Sequence, residues 1–430
     1  MGVAGRKALR GAALVAIAGI VGPVPSAPAQ TAPAVVVSVT FPEAIQRAQD
    51  SNPTVAVAAV GILRADALLG QARAATLLQV NGNVNWITLN RGVEFSGVTV
   101  TPRSQVTASV GADMPILAAA AWARRTQALD NKAIAELNVA DVKRQIALAT
   151  ADAYLAIIAA KRVVEGNTRA LQTAKAHFDL ANELEQKGSG SRLNALRAQQ
   201  QASADEGLVE VARLAVYRAQ EALGVLIAVN GPADAVSEPD FSTGVTDAAD
   251  LTLFRTDLKL FSAQEKAADR VVRDSSKDWY PVVDAIFQPS TTYPAQFFLP
   301  QNSWRALVQA NIPIFDSGGR RSVKAERQAS LESAKQTTIG ALTQANSEVR
   351  TAREAVASGE RILAFARATA GQAQQVVDIT TISFRAGGAT NIEVIDAERV
   401  SRDADMAVAV AEDTLRRAKL ELLNALGRFP

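Results

Sequence analysis

The chain has 430 residues, of which 48% are hydrophobic but only 5% aromatic. Its 45 basic and 43 acidic residues leave a net charge of +2, a balance that gives no reason to expect a nucleic-acid partner, which needs a basic face. There is no cysteine and one histidine, which excludes disulfides, thiol catalysis, Cys-ligated metals and a cysteine-anchored lipid. Much of the apolar fraction is alanine, which favours long helices packed side by side over one thick core.

Residues 1–29 have the three parts of an export signal. Arg6, Lys7 and Arg10 form a basic start, 11–22 an apolar run, and Ala27-Pro28-Ala29 a cleavage site. No later segment offers the ~20 uninterrupted apolar residues of a membrane-spanning helix. The mature chain is therefore expected to be periplasmic, secreted or inserted as a β-barrel.

A helix is predicted over about 41–76, followed by strands at 80–88 and 104–114 with a loop at 89–103 between them. From Pro115 to Gly188 there is no proline, and only Gly166 interrupts. Such a helix reaches on the order of 100 Å, far beyond ordinary globular helices. A glycine turn at Gly188–Leu193 then leads into a long returning helix, and 236–250 reads as a linker.

The second half repeats this order: a helix over 251–278, strands at 281–288 and 303–312 around a loop at 289–302, a long helix, a turn at Gly387–Ile392 and a returning helix. VGADMPIL at 110–117 matches VQANIPIF at 308–315. KGSGSRLNALRA at 187–198 matches AGGATNIEVIDA at 386–397, with an offset of 199. At that offset the apolar seam Val164, Leu171, Ala174, Phe178 and Ala181 falls on Leu363, Ala370, Ala373, Val377 and Thr380, in the phase of helices packed along their length. Asn167 interrupts the first seam where Ala366 stands in the second. The predicted units are a first repeat over 30–235, with a hairpin at 79–116, and a second over 251–430, with a hairpin at 281–315.

The strands alternate with period two. Val80, Gly82, Val84 and Trp86 share a face, as do Val106, Ala108, Val110, Ala112 and Met114. Trp304, Ala306, Val308, Ala310 and Ile312 form a third such face, with Leu307 as an exception on the opposite side. Val283, Ala285 and Phe287 oppose Asp284 and Gln288 less regularly. A soluble sheet gives the same alternation. Lengths of ~9–11 residues and Asn/Gln/Ser/Thr-rich opposite faces favour a membrane barrel with a wet lumen. Trp86, Trp279, Tyr280, Phe297 and Phe298 near strand ends suit membrane interfaces. Four strands cannot close a barrel, and open edges are not tolerated in lipid, so an oligomer is required.

No catalytic constellation is present. There is no zinc motif, no phosphate loop with its lysine and no nucleophile elbow. His177, beside Phe178, reads as a packing or surface residue. No enzyme activity, metal or cofactor is expected.

The tandem repeat, the Asn52-Pro53 opening, the PIFDSGGRR segment at 313–321 and the two turns together resemble the TolC-type outer-membrane efflux protein family. The resemblance covers nearly the whole mature chain. It implies a mainly α protein with a β-barrel portion: long helical hairpins forming an α-helical barrel, and four strands per protomer contributing to a twelve-stranded barrel of three copies. It also implies an exit duct in the outer membrane of a Gram-negative bacterium, fed by a periplasmic adaptor and an inner-membrane transporter. The two turns would be periplasmic tips, with Gly188, Ser191, Leu193, Gly387, Thr390 and Ile392 as adaptor-contacting candidates. Glu393 and Asp396, at i and i+3 on one helical face, match carboxylates that ring the closed end of the tunnel in TolC-like members. Ala389 stands where an arginine can hold the closed state, and Asn194 where the first repeat can be acidic. Glycine turns with Ser191 and Thr390 as helix caps would account for the tips on structural grounds alone. The rival reading is a periplasmic or surface coiled-coil rod, which has no use for the paired hairpins.

Overall fold

The computed structural model describes residues 36–241 and 251–429, so the predicted leader at 1–29 and part of the predicted linker lie outside the described residues. The described part starts with a short strand, β1 (Val37–Val39), and the helices α1 (Phe41–Ser51) and α2 (Pro53–Ala74). Strand β2 (Gln79–Thr88), a small hairpin of β3 (Val93–Phe95) and β4 (Val98–Thr101), and β5 (Ser104–Leu117) follow. Helix α3 (Ala119–Gln186) is 68 residues long, about 100 Å at 1.5 Å per residue. Helix α4 (Arg192–Leu226) returns beside it and leads to β6 (Ala233–Ala235).

The order recurs in the second half. Helices α5 (Leu251–Phe254) and α6 (Thr256–Asp274) end in a 3-10 turn, Ser275–Trp279. Strands β7 (Val282–Tyr293) and β8 (Asn302–Asn311) lead to the 67-residue α7 (Gly319–Arg385) and its returning partner α8 (Asn391–Ala425).

The helices are long because nothing inside them breaks the ladder; neither α3 nor α7 contains a proline. Their packing follows heptads of small residues. Along α8, Ala397, Ala404, Ala411, Ala418 and Ala425 recur every seven residues, and all are buried. Along α4, Ala195, Ala202 and Val209 make one such row, and Ala198, Asp205 and Ala212 a second. Small side chains at seam positions let the backbones approach closely. At Gly166 of α3 an added Cβ would lie 2.4 Å from the Met406 methyl, so a side chain there would have to displace the end of Met406.

The thickest core sits midway along the helices. Tyr154 is fully buried, with its ring edge-on to Phe41 at 5.4 Å, and Phe41 packs likewise on Phe241. The Tyr154 hydroxyl donates to the Ser237 carbonyl at 2.8 Å. Strands β1 and β6 pair in parallel beside it, 196 residues apart at Val37 and Ala233.

Several spans differ from the sequence expectation: the predicted loop at 89–103 holds the β3–β4 hairpin, and the strand predicted at 104–114 runs on to Leu117. The predicted helix at 41–76 is two helices that break at Asn52, and the one predicted at 251–278 breaks at Arg255 and tightens after Asp274. Each break is held by a side chain that reaches the end of the returning helix. Asn52 caps α2 by accepting from Thr54 N–H and donates to the Leu226 carbonyl at 2.9 Å. Arg255, buried between Asp257 and Glu348 at 2.6 and 2.7 Å, reaches the Ala425 carbonyl at 3.5 Å. Leu226 and Ala425 stand 199 residues apart, the offset of the two glycine turns. Strand β7 continues five residues beyond the predicted 288, through Pro289. Its pairing with β5 skips Val110 and Gly111, opposite the proline that lacks an N–H. Among the described residues α2 alone is long and apolar enough to cross a membrane, but its run carries Arg64 and Asp66, and Asp66 pairs with Lys132 of α3 at 2.7 Å.

In α4, an added Cβ at Gly224 would meet the Gly231 carbonyl oxygen at 2.1 Å. Gly224→Ala is therefore expected to cost about 1–3 kcal/mol, because backbone has to move. Gly207→Ala, where nothing lies within 4 Å, is expected to gain about 0.5–1 kcal/mol of helix stability. Thermal unfolding of the two variants side by side checks the contrast.

Candidate functional site

Two regions carry the sequence-predicted features: the four-stranded sheet and the paired glycine turns. The sheet runs β2-β5-β7-β8, antiparallel throughout. Its register settles which faces coincide. Val84 lies opposite Ala108, Ala108 opposite Thr291, and Thr291 opposite Asn302. Val80, Gly82, Val84 and Trp86 therefore share a face with Val106, Ala108, Val110, Ala112 and Met114, and with Val283, Ala285 and Phe287 of β7 and Trp304, Ala306 and Val308 of β8. That face is largely apolar and open to its surroundings; Val84, Trp86 and Trp304 are each more than 70% exposed.

The opposite face carries Asn81, Asn83 and Asn85, then Thr107 and Ser109, then Gln288, Ser290 and Thr292, then Arg305 and Gln309. A side-chain ladder crosses it. Arg305 donates to Gln288 at 2.8 Å, and Gln288 donates to Ser109 at 3.3 Å. Thr107 meets Thr292 at 3.1 Å, and Ser290 meets Ser303 at 3.0 Å. Leu307 pairs with Ile286 as an apolar patch on this polar side.

At one end of the sheet the chain turns sharply into α7. Ser317 and Gly318 have positive φ, 53° and 92°. Asp316 accepts from the N–H groups of Gly318 and Arg320 and from the Arg320 guanidinium, and these partners hold its carboxyl below the usual range. The same guanidinium lies 4.4 Å over the Trp279 ring. Ile314 and Phe315 beside it are exposed, as are Trp279 and Tyr280. At the other end the β3–β4 hairpin and the loop holding Phe297 and Phe298 meet, with Phe297 N–H donating to the Val100 carbonyl at 3.4 Å.

The glycine turns form the far end of the helices. Gly188 and Gly387 are left-handed, with φ of 73° and 77°, and close each long helix with reverse hydrogen bonds. Ser191 accepts from Leu193 N–H at 3.1 Å as the cap of α4. Thr390 and Glu393 form a reciprocal capping box: Thr390 N–H donates to the Glu393 carboxylate at 2.6 Å, and Glu393 N–H to the Thr390 hydroxyl at 3.4 Å. Those bonds hold the Glu393 carboxyl below its ordinary value, with the backbone bond foremost. Asp396 pairs with Arg399 at 2.7 Å. Both carboxylates are exposed on one face of α8, and Leu193 and Ile392 are exposed apolar tips.

The structure brings the two turns together through residues the sequence reading did not single out for this. Buried Asn391 donates to the Asn194 carbonyl at 3.4 Å and accepts from His177 Nε2 at 2.8 Å. Burial holds the His177 imidazole below its ordinary value, so this packing residue joins α3 to the start of α8 in its neutral form. The Asp396–Arg399 spacing was readable as an i, i+3 pair; the Asn391 contacts, across the two halves, were not. Among the described residues no group of three His, Asp or Glu side chains could hold a metal ion.

The family model described as "Outer membrane efflux protein" matches residues 44–229 and 251–428. No curated protein matches the sequence. Several solved structures share the fold. CusC superposes with a TM-score of 0.80 at 16% identity, over 90% of this chain and 91% of its own. The CmeC outer membrane channel of Campylobacter jejuni gives 0.77 at 15%, over 90% and 86%. The open state of the MtrE outer membrane channel of Neisseria gonorrhoeae gives 0.75 at 18%, over 90% and 88%.

The two faces of the sheet predict opposite tolerance to charge. Val84→Lys, mid-strand on the apolar face, is expected to destabilise the protein in lipid by about 2–4 kcal/mol. Asn83→Lys, its neighbour on the polar face, is expected to change stability by less than about 0.5 kcal/mol. Urea unfolding from lipid vesicles distinguishes them.

Proposed function

This chain belongs to the outer membrane efflux protein family, whose model matches both of its halves, and from that premise we propose that three copies close a twelve-stranded barrel and act as the passive exit duct of an efflux or type I secretion system. The observation that carries this reading is the sheet itself. One face is apolar and exposed, the other is a hydrogen-bonded polar ladder, and both edges, β2 and β8, have no further strand partner among the described residues. Such a sheet fits the wall of a water-filled pore in a bilayer. Exposed Val57, Val60 and Leu63 along α2 support helix packing between copies.

In this reading α3 and α7 extend the duct across the periplasm, and the paired turns meet a periplasmic adaptor that connects to an inner-membrane transporter. Exposed Leu193 and Ile392 beside the ordered turns Gly188–Ser191 and Gly387–Thr390 support that role for the tips. No bond is made or broken along such a path, which is why no catalytic group is required. Glu393 and Asp396 place two carboxylates per copy on one helical face near the tip, and three copies would focus negative potential on a narrow opening and favour cations. Arg399 offsets part of the Asp396 charge, so Glu393 carries more of the effect.

Single-channel conductance of the mature protein in a planar bilayer tests this. Discrete cation-preferring channels are expected, with the preference falling several-fold in Glu393→Gln/Asp396→Asn. Glutamine retains the capping role at position 393, so the helix start is preserved. Unchanged selectivity would remove the acidic ring and keep the duct. A protein that leaves the membrane in plain buffer and never conducts would favour the coiled-coil rod.

A further inference from the structure

A cavity of about 180 Å³ lies between α3, α4, α7 and α8, above the glycine turns. Two carboxyl groups meet there. Asp205 is 4% exposed and occupies a heptad position between Ala198 and Ala212; at the offset of 199 the second half has Ala404 in its place. Its Oδ1 accepts from Arg402 at 2.8 Å and from Gln201 at 3.0 Å. Arg402 also donates twice to Asp403, at 2.9 and 3.1 Å.

Glu398 is the second carboxyl. Its Oε2 is buried and accepts no hydrogen bond. An ionised carboxylate in that position would keep one buried oxygen without a donor, facing Asp205, which is a penalty. None of the charged groups around it donates a hydrogen bond to that oxygen. From α3, Arg169 lines the cavity, and His177, bonded to Asn391, is held neutral by its burial. From α4 there is only Asp205. From α7, Asp378 and Arg385 line the neighbouring groove that Glu398 also borders. On α8 itself Arg399 is engaged by Asp396, Arg402 by Asp205 and Asp403, and Asp405 adds negative charge.

We propose that Glu398 is a proton-operated element between the two halves of the chain: neutral, it keeps α8 packed on α4 and α3 above the tips, and ionised, it loosens that contact. Desolvation first, and the charge of Asp205 second, push its carboxyl up from 4.5 to about 7. The sign follows from the raised value. The packed arrangement has its full stability below pH 4.5, loses it progressively as pH rises towards 7, and loses no more above that. The groove lined by His177 and Arg385 gives protons a route from solvent. The inference concerns helix packing and holds whether or not the assembled protein conducts.

Infrared titration of the mature protein in detergent tests the proton directly. A carboxyl C=O stretching band is expected to disappear with a midpoint near pH 7 in the unaltered protein and to be missing in Glu398→Gln. Asp205→Asn, which removes the facing charge, is expected to move that midpoint down, so the band is assigned even where one variant folds poorly. Amide hydrogen exchange over 394–405 reads the packing. The ratio of protection in Glu398→Gln to that in the unaltered protein is expected near one at pH 4 and roughly a hundredfold or more at pH 7.5. A band absent above pH 6, or equal protection at both pH values, would overturn the proposal.

Discussion

Every backbone N–H and C=O placed in hydrocarbon without a partner costs several kcal/mol, and a sheet of four strands presents two whole edges of them. In this chain the edges are β2 and β8, on either side of the interior pair β5 and β7. The apolar face needs lipid, and the polar ladder from Arg305 through Gln288 to Ser109 needs water on the other side. These demands are met together only when the sheet curves into a closed wall made with other copies. The helical part then has to be repeated around the same axis, so the constraint at the strands fixes the arrangement of the rest.

The helices meet that demand with small residues rather than large ones. Rows of alanine at seven-residue spacing along α4 and α8 allow close approach, while the thick core around Tyr154, Phe41 and Phe241 is confined to the middle. The helix breaks at Asn52 and Arg255 are matched devices, each sealing the carbonyl end of a returning helix at positions 199 residues apart. Duplication of the chain is thus visible as duplicated hydrogen bonding, even where asparagine in one half is replaced by arginine in the other. Asp205 is a departure in the opposite sense, a charge introduced into a row that the second half fills with alanine.

Much of the architecture was legible in the sequence because its signals are periodic. The alternation from Val80 to Trp86 and from Val106 to Met114 places one side chain in two on a common face, and the register leaves those faces aligned. The absence of proline between Ala119 and Gln186 made the long helix legible, and Gly188 and Gly387 marked the turns. What escaped depends on contacts between distant segments. The break at Asn52 is stabilised by Leu226, and the β1–β6 pair joins three-residue strands with no local signature of their own. The continuation of β7 through Pro289 was hidden because proline ordinarily ends a central strand. At the tips, Thr390 and Glu393 had the spacing of a capping box, whereas the meeting of Glu398 with Asp205 joins the two halves and leaves no trace in either alone.

Closure between the β2 edge of one copy and the β8 edge of the next is the claim on which the account stands. The chain has no cysteine, so pairs can be introduced cleanly, one scanned over Val80, Gly82 and Val84 and one at Ala306 or Val308. Oxidation in native membranes should produce species of two and three linked chains and nothing larger, and single-cysteine variants should produce no such ladder. Chains that remain single at every pairing, or a ladder that continues beyond three, would contradict it.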